Sequence, residues 1–181
     1  MAQERLSVPA QLRRALPAAD RPASIEVVYL RHYRAVYGYA LALSRVHDEA
    51  DDLVGETFER ALRAWETRPP ANGAELPWLL LTARRLATDR WRRARRHAKA
   101  LVRRRPDAGN DHAGEARTEF WMWFEALSEV LSPRQREVLL LRYRRDLSDA
   151  DIGLILGMSP SGVRSAVSRA LAILRKHPEL L

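Results

Sequence analysis

The sequence predicts an all-α protein, two small helical domains joined by a flexible linker, the second carrying a helix-turn-helix. Three observations carry that expectation. No segment alternates apolar and polar residues with period two, whereas apolar residues recur at three- and four-residue steps in several long runs. That periodicity fades from about Ala94 to Thr118, where RRPDAGNDHAGEART has the Pro, Gly, Asp and Asn of a linker. Residues 148–175 then read SDADIGLILGMSPSGVRSAVSRALAILR, an order of caps, turn and polar stripe that spells two short helices around a tight bend. The expected boundaries are a loose extension over 1–23, a first domain over 24–93, a tether over 94–118 and a second domain over 119–181.

The first domain opens with a helical pattern near Ser24 that runs through Val28, Tyr33, Val36, Tyr39, Ala40 and Leu43. A second helix is capped by Asp48, with Ala50, Leu53, Val54, Thr57, Phe58, Ala61, Leu62 and Trp65 as its apolar stripe. The prolines and Asn72-Gly73 of ETRPPANGAELP interrupt it. A third helix starts at Pro77-Trp78 and continues through Leu79, Ala83, Leu86 and Ala87 into an arginine run. In the second domain, Glu119 opens an aromatic segment with Phe120, Trp121, Trp123, Phe124 and Leu127. Ser132-Pro133 with Gln135 forms a capping box ahead of the Val138–Leu141 core. Ser148 with Asp151 repeats that device, Gly157 supplies the left-handed stop, and Ser159-Pro160 restarts the last helix. Its inward residues are Val163, Val167, Ala170, Leu171 and Leu174.

Composition narrows the function. There are no cysteines, which removes disulfides, thiolate metal sites and cysteine nucleophiles. Five scattered histidines lack metal-ligand spacing, and no Gly-rich phosphate loop or nucleophile motif occurs. No apolar run approaches a membrane span and the first residues lack a signal-peptide core, so a soluble cytoplasmic protein is expected. The formal net charge is +8, but its distribution says more. Residues 84–105 hold eleven Arg or Lys against Asp89 alone, while residues 48–59 hold six acids and no base. Segregated charge of this kind suits one polyanionic partner and at least one further surface.

On the last helix, Ser161, Arg164, Ser165 and Ser168 share a face of short hydroxyls and an arginine that a DNA major groove could approach closely. The same pattern also serves an ordinary helical bundle whose Ser/Arg stripe is solvated surface. The remaining motifs separate the two readings.

DEADDLVGETFERALRAW (48–65), PWLLLTARRLATDRWRR (77–93), LSPRQREVLLLRY (131–143) and LSDADIGLILGMSPSGVRSAVSRALAILR (147–175) resemble, in this order, the two modules of bacterial RNA polymerase sigma factors. The short, two-module form resembles the extracytoplasmic-function group. The resemblance covers residues from about 25 to 176, and four motifs in order make it far more specific than one. It implies a transcription initiation factor that binds core RNA polymerase and directs it to promoters, with no catalytic residue, cofactor or metal of its own.

Residue by residue, the resemblance implies that Asp51, Asp52, Glu56 and Glu59, with Leu53 and Phe58 nearby, dock on a helical coiled coil of the polymerase large subunit. Arg84, Arg85, Arg90, Arg92 and Arg93 would neutralise phosphates of the minus-ten region, and Trp91 would stack on an exposed base of single-stranded DNA. The Pro-rich loop at 66–76 lies where the family captures a flipped base. Ser161, Arg164, Ser165, Ser168 and Arg169 would read the minus-thirty-five element in double-stranded promoter DNA. The family often pairs with an anti-sigma protein, a further partner that no residue here identifies. Four departures stand out. Gly55 replaces the usual glutamine, Arg85 an asparagine, Gly162 a threonine and Ala166 a frequent arginine. A conventional helix-turn-helix repressor or activator, binding a palindrome as a dimer, is the alternative. Such a protein has no need of an acidic helix followed by an arginine helix.

Overall fold

The structure, a computed structural model, describes residues 23–71, 73–100 and 119–180. Of the expected extension and tether, residues 1–22 and 101–118 lie outside the described residues. The chain divides into two compact units, Met1–His112 and Ala113–Leu181, and each is helical. Among the described residues no strand occurs, and no helix is long and apolar enough to cross a membrane.

In the first unit, α1 spans Ile25–Ser44, with the Ser24 hydroxyl accepting from the Val27 amide. It ends where Arg45 turns left-handed (φ 63°) and returns its N–H to the Leu41 carbonyl. Helix α2, His47–Thr67, starts ahead of the expected Asp48 cap. Val46 occupies the cap without a side-chain bond, and Asp48 and Glu49 fall in the first turn, where the helix dipole favours acids. Its buried face is Ala50, Leu53, Val54, Thr57, Phe58, Ala61 and Trp65. Leu62, expected in that stripe, is 50% exposed because it lies past the stripe's edge, beyond Phe58. Gly55 is exposed and leaves the helix unbroken, although a glycine there forgoes about 1 kcal/mol against alanine.

Helix α3 runs Glu75–Ala100 and differs from expectation at both ends. It begins before Pro77, which the first turn tolerates because its missing N–H has no intrahelical acceptor there. It also continues past Arg93 to Ala100, so residues 94–100, expected in the tether, are helical. Arg, Ala and Lys are strong helix formers and need no apolar face to persist as one. Trp78, Leu79, Leu80, Leu81, Ala83 and Leu86 fill the core against α1 and α2. The Trp65 ring meets Trp78 edge-on at 5.4 Å and donates its Nε1–H to the Ala23 carbonyl at 3.0 Å.

The second unit comprises α4 (Glu119–Ala126), α5 (Pro133–Leu139), a π-helical turn over Leu140–Arg144, α6 (Asp149–Leu156) and α7 (Pro160–Leu174). The Ser132–Gln135 capping box forms with both reciprocal bonds. At Ser148 the hydroxyl accepts from the Asp151 amide at 3.1 Å, and the same hydroxyl donates to the Asp151 carboxylate at 2.5 Å. Gly157, at φ 65°, ends α6, and Ser159 caps α7 by accepting from the Gly162 amide at 3.1 Å. The core gathers Leu127, the run Val138–Leu141, Ile152, Ile155, Leu156, Val163, Ala170 and Leu174. Val167 and Leu171, expected to face inward, are only half-buried, and Ala166 takes the inner place. The small Ala166 side chain lets that face of α7 approach its neighbours closely. Position 166 therefore offers no outward-facing donor.

One glycine makes the bend possible. A Cβ on Gly153 would stand 2.6 Å from the Met158 carbonyl oxygen, inside contact distance, so the backbone of the turn crosses α6 where a side chain would be.

Candidate nucleic-acid interface

The α3 arginines divide by position. Arg90 reaches back to α2 and donates to Glu56 at 3.0 Å, while Arg60 takes the other Glu56 oxygen at 3.1 Å. Arg90, expected on phosphates, is thus a strut between α2 and α3, and Glu56 is shared between two guanidinium groups. Partly exposed pairs of this kind contribute about 0.2–1 kcal/mol each. Arg93 donates from Nε to the Asp89 carbonyl at 3.3 Å, which lays its stem along the helix. Trp91 is 59% exposed, and Arg95 holds its guanidinium 5.0 Å from the ring centroid. Arg92, Arg93 and Arg96 are exposed, and Arg84 and Arg85 are half-buried. The i, i+4 spacing of Trp91 with Arg95 and of Arg92 with Arg96 places all four on adjoining stripes of one helix. Spacing places Arg95 and Arg96 one turn beyond Trp91 and Arg92, and the structure adds the stack of Arg95 over the Trp91 ring.

On α2, Asp51, Asp52 and Glu59 are exposed, and Glu59 is paired with Arg63 one turn on. Leu53 and Phe58, expected on the docking surface, instead point into the core at 2% and 8% exposure. Phe58 meets Tyr29 edge-on, at 4.8 Å. A Cβ on Gly55 would find nothing within 4 Å, so bare backbone separates Asp51 and Asp52 from Glu59. On α1, half-buried His32 stands near the buried Glu75. Burial holds its imidazole below the ordinary value, the Glu75 charge opposes that, and Arg31 adds to it.

In the second unit, Ser161, Arg164, Ser165, Ser168 and Arg169 are all exposed on α7, opposite its buried face. Ser161 shares a hydrogen bond with the capping Ser159 at 3.1 Å, and Arg164 pairs with Asp149 at 3.3 Å. Asp149 also holds Arg142 from the π-helical turn. Gly162 leaves little room for the family's threonine, since a Cβ would lie 3.2 Å from the Ser159 hydroxyl. Just after the π-helical turn, Arg145 is half-buried, and burial together with Arg144 lowers its guanidinium to about 10, still charged at neutral pH.

Two family models match the chain in order, sigma-70 region 2 over residues 28–97 and sigma-70 region 4 over residues 121–174. The RNA polymerase sigma-E factor of Streptomyces coelicolor is 31% identical, with 71% of each chain covered. The ECF RNA polymerase sigma factor SigC of Mycobacterium tuberculosis is 36% identical, over 75% of this chain and 72% of its own. The chain belongs to the extracytoplasmic-function group of sigma-70 factors. It is accordingly a promoter-directing transcription initiation factor, and the conventional repressor or activator is set aside. The fold agrees with that of the sigma factor RpoE of Bartonella quintana, solved with the anti-sigma factor NepR (TM-score 0.63, 23% identity, 83% of this chain and 94% of that one). The region 2 match includes the Trp91 stripe, and the region 4 match spans both helices of the helix-turn-helix.

Proposed function

We propose that this sigma factor divides its work among three surfaces. The exposed α2 face, Asp51, Asp52 and Glu59 around the bare Gly55 backbone, docks on a basic helical element of core RNA polymerase. A glycine at that point lets a partner helix approach closely. Leu53 and Phe58 support the face from behind, and Glu56 anchors it to α3 through Arg90.

The α3 stripe of Arg84, Arg85, Arg92, Arg93, Arg95 and Arg96 neutralises phosphates of the minus-ten region. Trp91 stacks on an unpaired base, in a contact that no duplex base could make without leaving its stack. The outward face of α7 enters the major groove of the minus-thirty-five element, with Arg164 bidentate to a guanine and Ser161, Ser165, Ser168 and Arg169 on phosphates or base edges. The single observation that carries this reading is that those five α7 side chains are all exposed on the face opposite the core.

Residues 94–100 advance about 10 Å as helix rather than about 25 Å extended. Together with 101–118 they can still span about 70 Å, close to two helical turns of B-DNA. Binding at both elements then gains from effective concentration. The protein acts in the cytoplasm, where polymerase and promoters are, and contributes no catalytic group. An anti-sigma protein is a further partner, as for the RpoE relative solved with NepR. In vitro transcription with bacterial core polymerase on a promoter library tests the reading. Initiation should concentrate on templates sharing two spaced elements, and failure to redirect initiation on any template overturns it.

A further inference from the structure

The carboxylate of Asp149 stands at the first position of α6, and each of its oxygens holds one arginine from a different element. Oδ1 accepts from Arg142, whose Nη1 also donates to the Leu147 carbonyl at 3.1 Å. Oδ2 accepts from Nη1 of Arg164 at 3.3 Å, across fifteen residues of sequence. The acceptor is sunk and the arginine stands out, since the Asp149 side chain is 20% exposed and that of Arg164 is 62% exposed. Arg142 therefore fixes Asp149, and Asp149 fixes one prong of the Arg164 fork.

We propose that Asp149 is a positioning residue that aims Arg164 at base edges and keeps its guanidinium from pairing indiscriminately with phosphates. The inference rests on the reading of α7 as the duplex-contacting helix. An untethered arginine can satisfy its fork on any phosphate, a contact that carries no sequence information. Arginine has five N–H donors, so one held by Asp149 leaves enough for the two acceptors of a guanine. The half-buried carboxylate also opposes phosphate approach. The trio of Arg142, Arg164 and Asp149 carries one net positive charge, and neutralising Asp149 raises it to two.

The test compares Asp149→Asn, Arg164→Ala and the double variant in full chain assembled with core polymerase. Binding is measured over a salt series to a duplex promoter from the transcription library and to the same duplex with its minus-thirty-five segment scrambled. Asp149→Asn should lower the preference for the promoter about tenfold, within the range of one bidentate contact. It should also bind the scrambled duplex more tightly, with a salt slope steeper by about 0.9 for each phosphate gained. In the Arg164→Ala background, the same substitution should leave the preference unchanged.

Wild-type preference and slope in Asp149→Asn overturn the proposal. So does a lost preference with an unaltered slope and reduced amide protection in α6, the signature of a structural role alone. If Arg164→Ala itself leaves the preference intact, the reading of α7 fails first. If Arg164→Ala loses it and Asp149→Asn does not, only the positioning role fails.

Discussion

The two units present positive charge in opposite ways. On α3 the guanidinium groups are many and crowded, and one of them, Arg90, pairs with Glu56 on a neighbouring helix. On α7 the outward arginines are only Arg164 and Arg169, and a carboxylate restrains the first of them. A crowded stripe around an exposed Trp91 suits a flexible strand whose phosphates and bases arrive in varied geometry. A sparse, braced face suits a rigid duplex whose groove dictates where each donor must lie. On the reading proposed above, charge number would supply affinity in the first case and charge placement would supply discrimination in the second.

The largest expected effect tests whether the acidic side of the first unit is separate from this division. Reversing charge with Asp51→Lys and Asp52→Lys should weaken association with core polymerase about a hundredfold or more at low salt, since like-charge juxtaposition costs several kcal/mol. Duplex preference should stay as it was. Equal affinity of variant and wild type would remove the α2 face from docking.

Next come two substitutions whose effects should not cross. Trp91→Ala should weaken binding to single-stranded minus-ten DNA by about 1–3 kcal/mol and spare duplex binding. Arg164→Ala should cost about 1–3 kcal/mol of duplex preference, lower promoter-specific transcription and leave polymerase binding intact. If either variant impaired both kinds of binding equally, the contrast between the stripes would collapse.

Gly153→Ala sharpens the comparison by stability. The added methyl meets the Met158 carbonyl, so the second unit should lose about 1–3 kcal/mol through overpacking. Amide exchange should accelerate in α6 and α7 and not in α1 to α3. Unchanged protection in α6 would mean that the turn yields more easily than its geometry implies.

The smallest effect belongs to the first unit alone. His32 is held below its ordinary value, chiefly by burial, so the fold favours the neutral ring. The unfolded chain takes up the proton near 6.5, and the stability that the neutral ring contributes is complete above that pH. It is lost as pH falls through the lower folded value. Acidification from pH 7 to 5 should slightly lower the melting temperature of the first unit, and His32→Gln should remove that part of the slope. A slope that survives the substitution would assign the sensitivity to other groups.

Helix ends are legible in the residue order itself. Capping bonds reach two or three residues and apolar stripes repeat every turn, so Ser24, Ser132, Ser148, Gly157 and Ser159 can all be read as helix ends. The outward set on α7 follows from the same periodicity. The positions where sequence and structure part have separate physical causes. Leu62 and Val167 sit on stripe edges, where only the neighbouring helix decides which side is covered. Leu53 and Phe58, grouped with the docking acids by the family resemblance, are buried as their place in the apolar stripe implies. The end of α3 is expected where apolar residues stop, but helix propensity carries it on.

The residue order alone determined that this chain makes helices, where most of them begin, and which family's motifs it carries, because those signals lie within a few residues of one another. Tertiary structure alone decided that Glu56 claims Arg90, that Asp149 joins Arg142 to Arg164, and that Gly153 must yield to a crossing carbonyl. The partners in the pairs to Arg90 and Arg164 are separated by 34 and 15 residues, and only the packing of one helix on another brings such groups within reach of a short-range force.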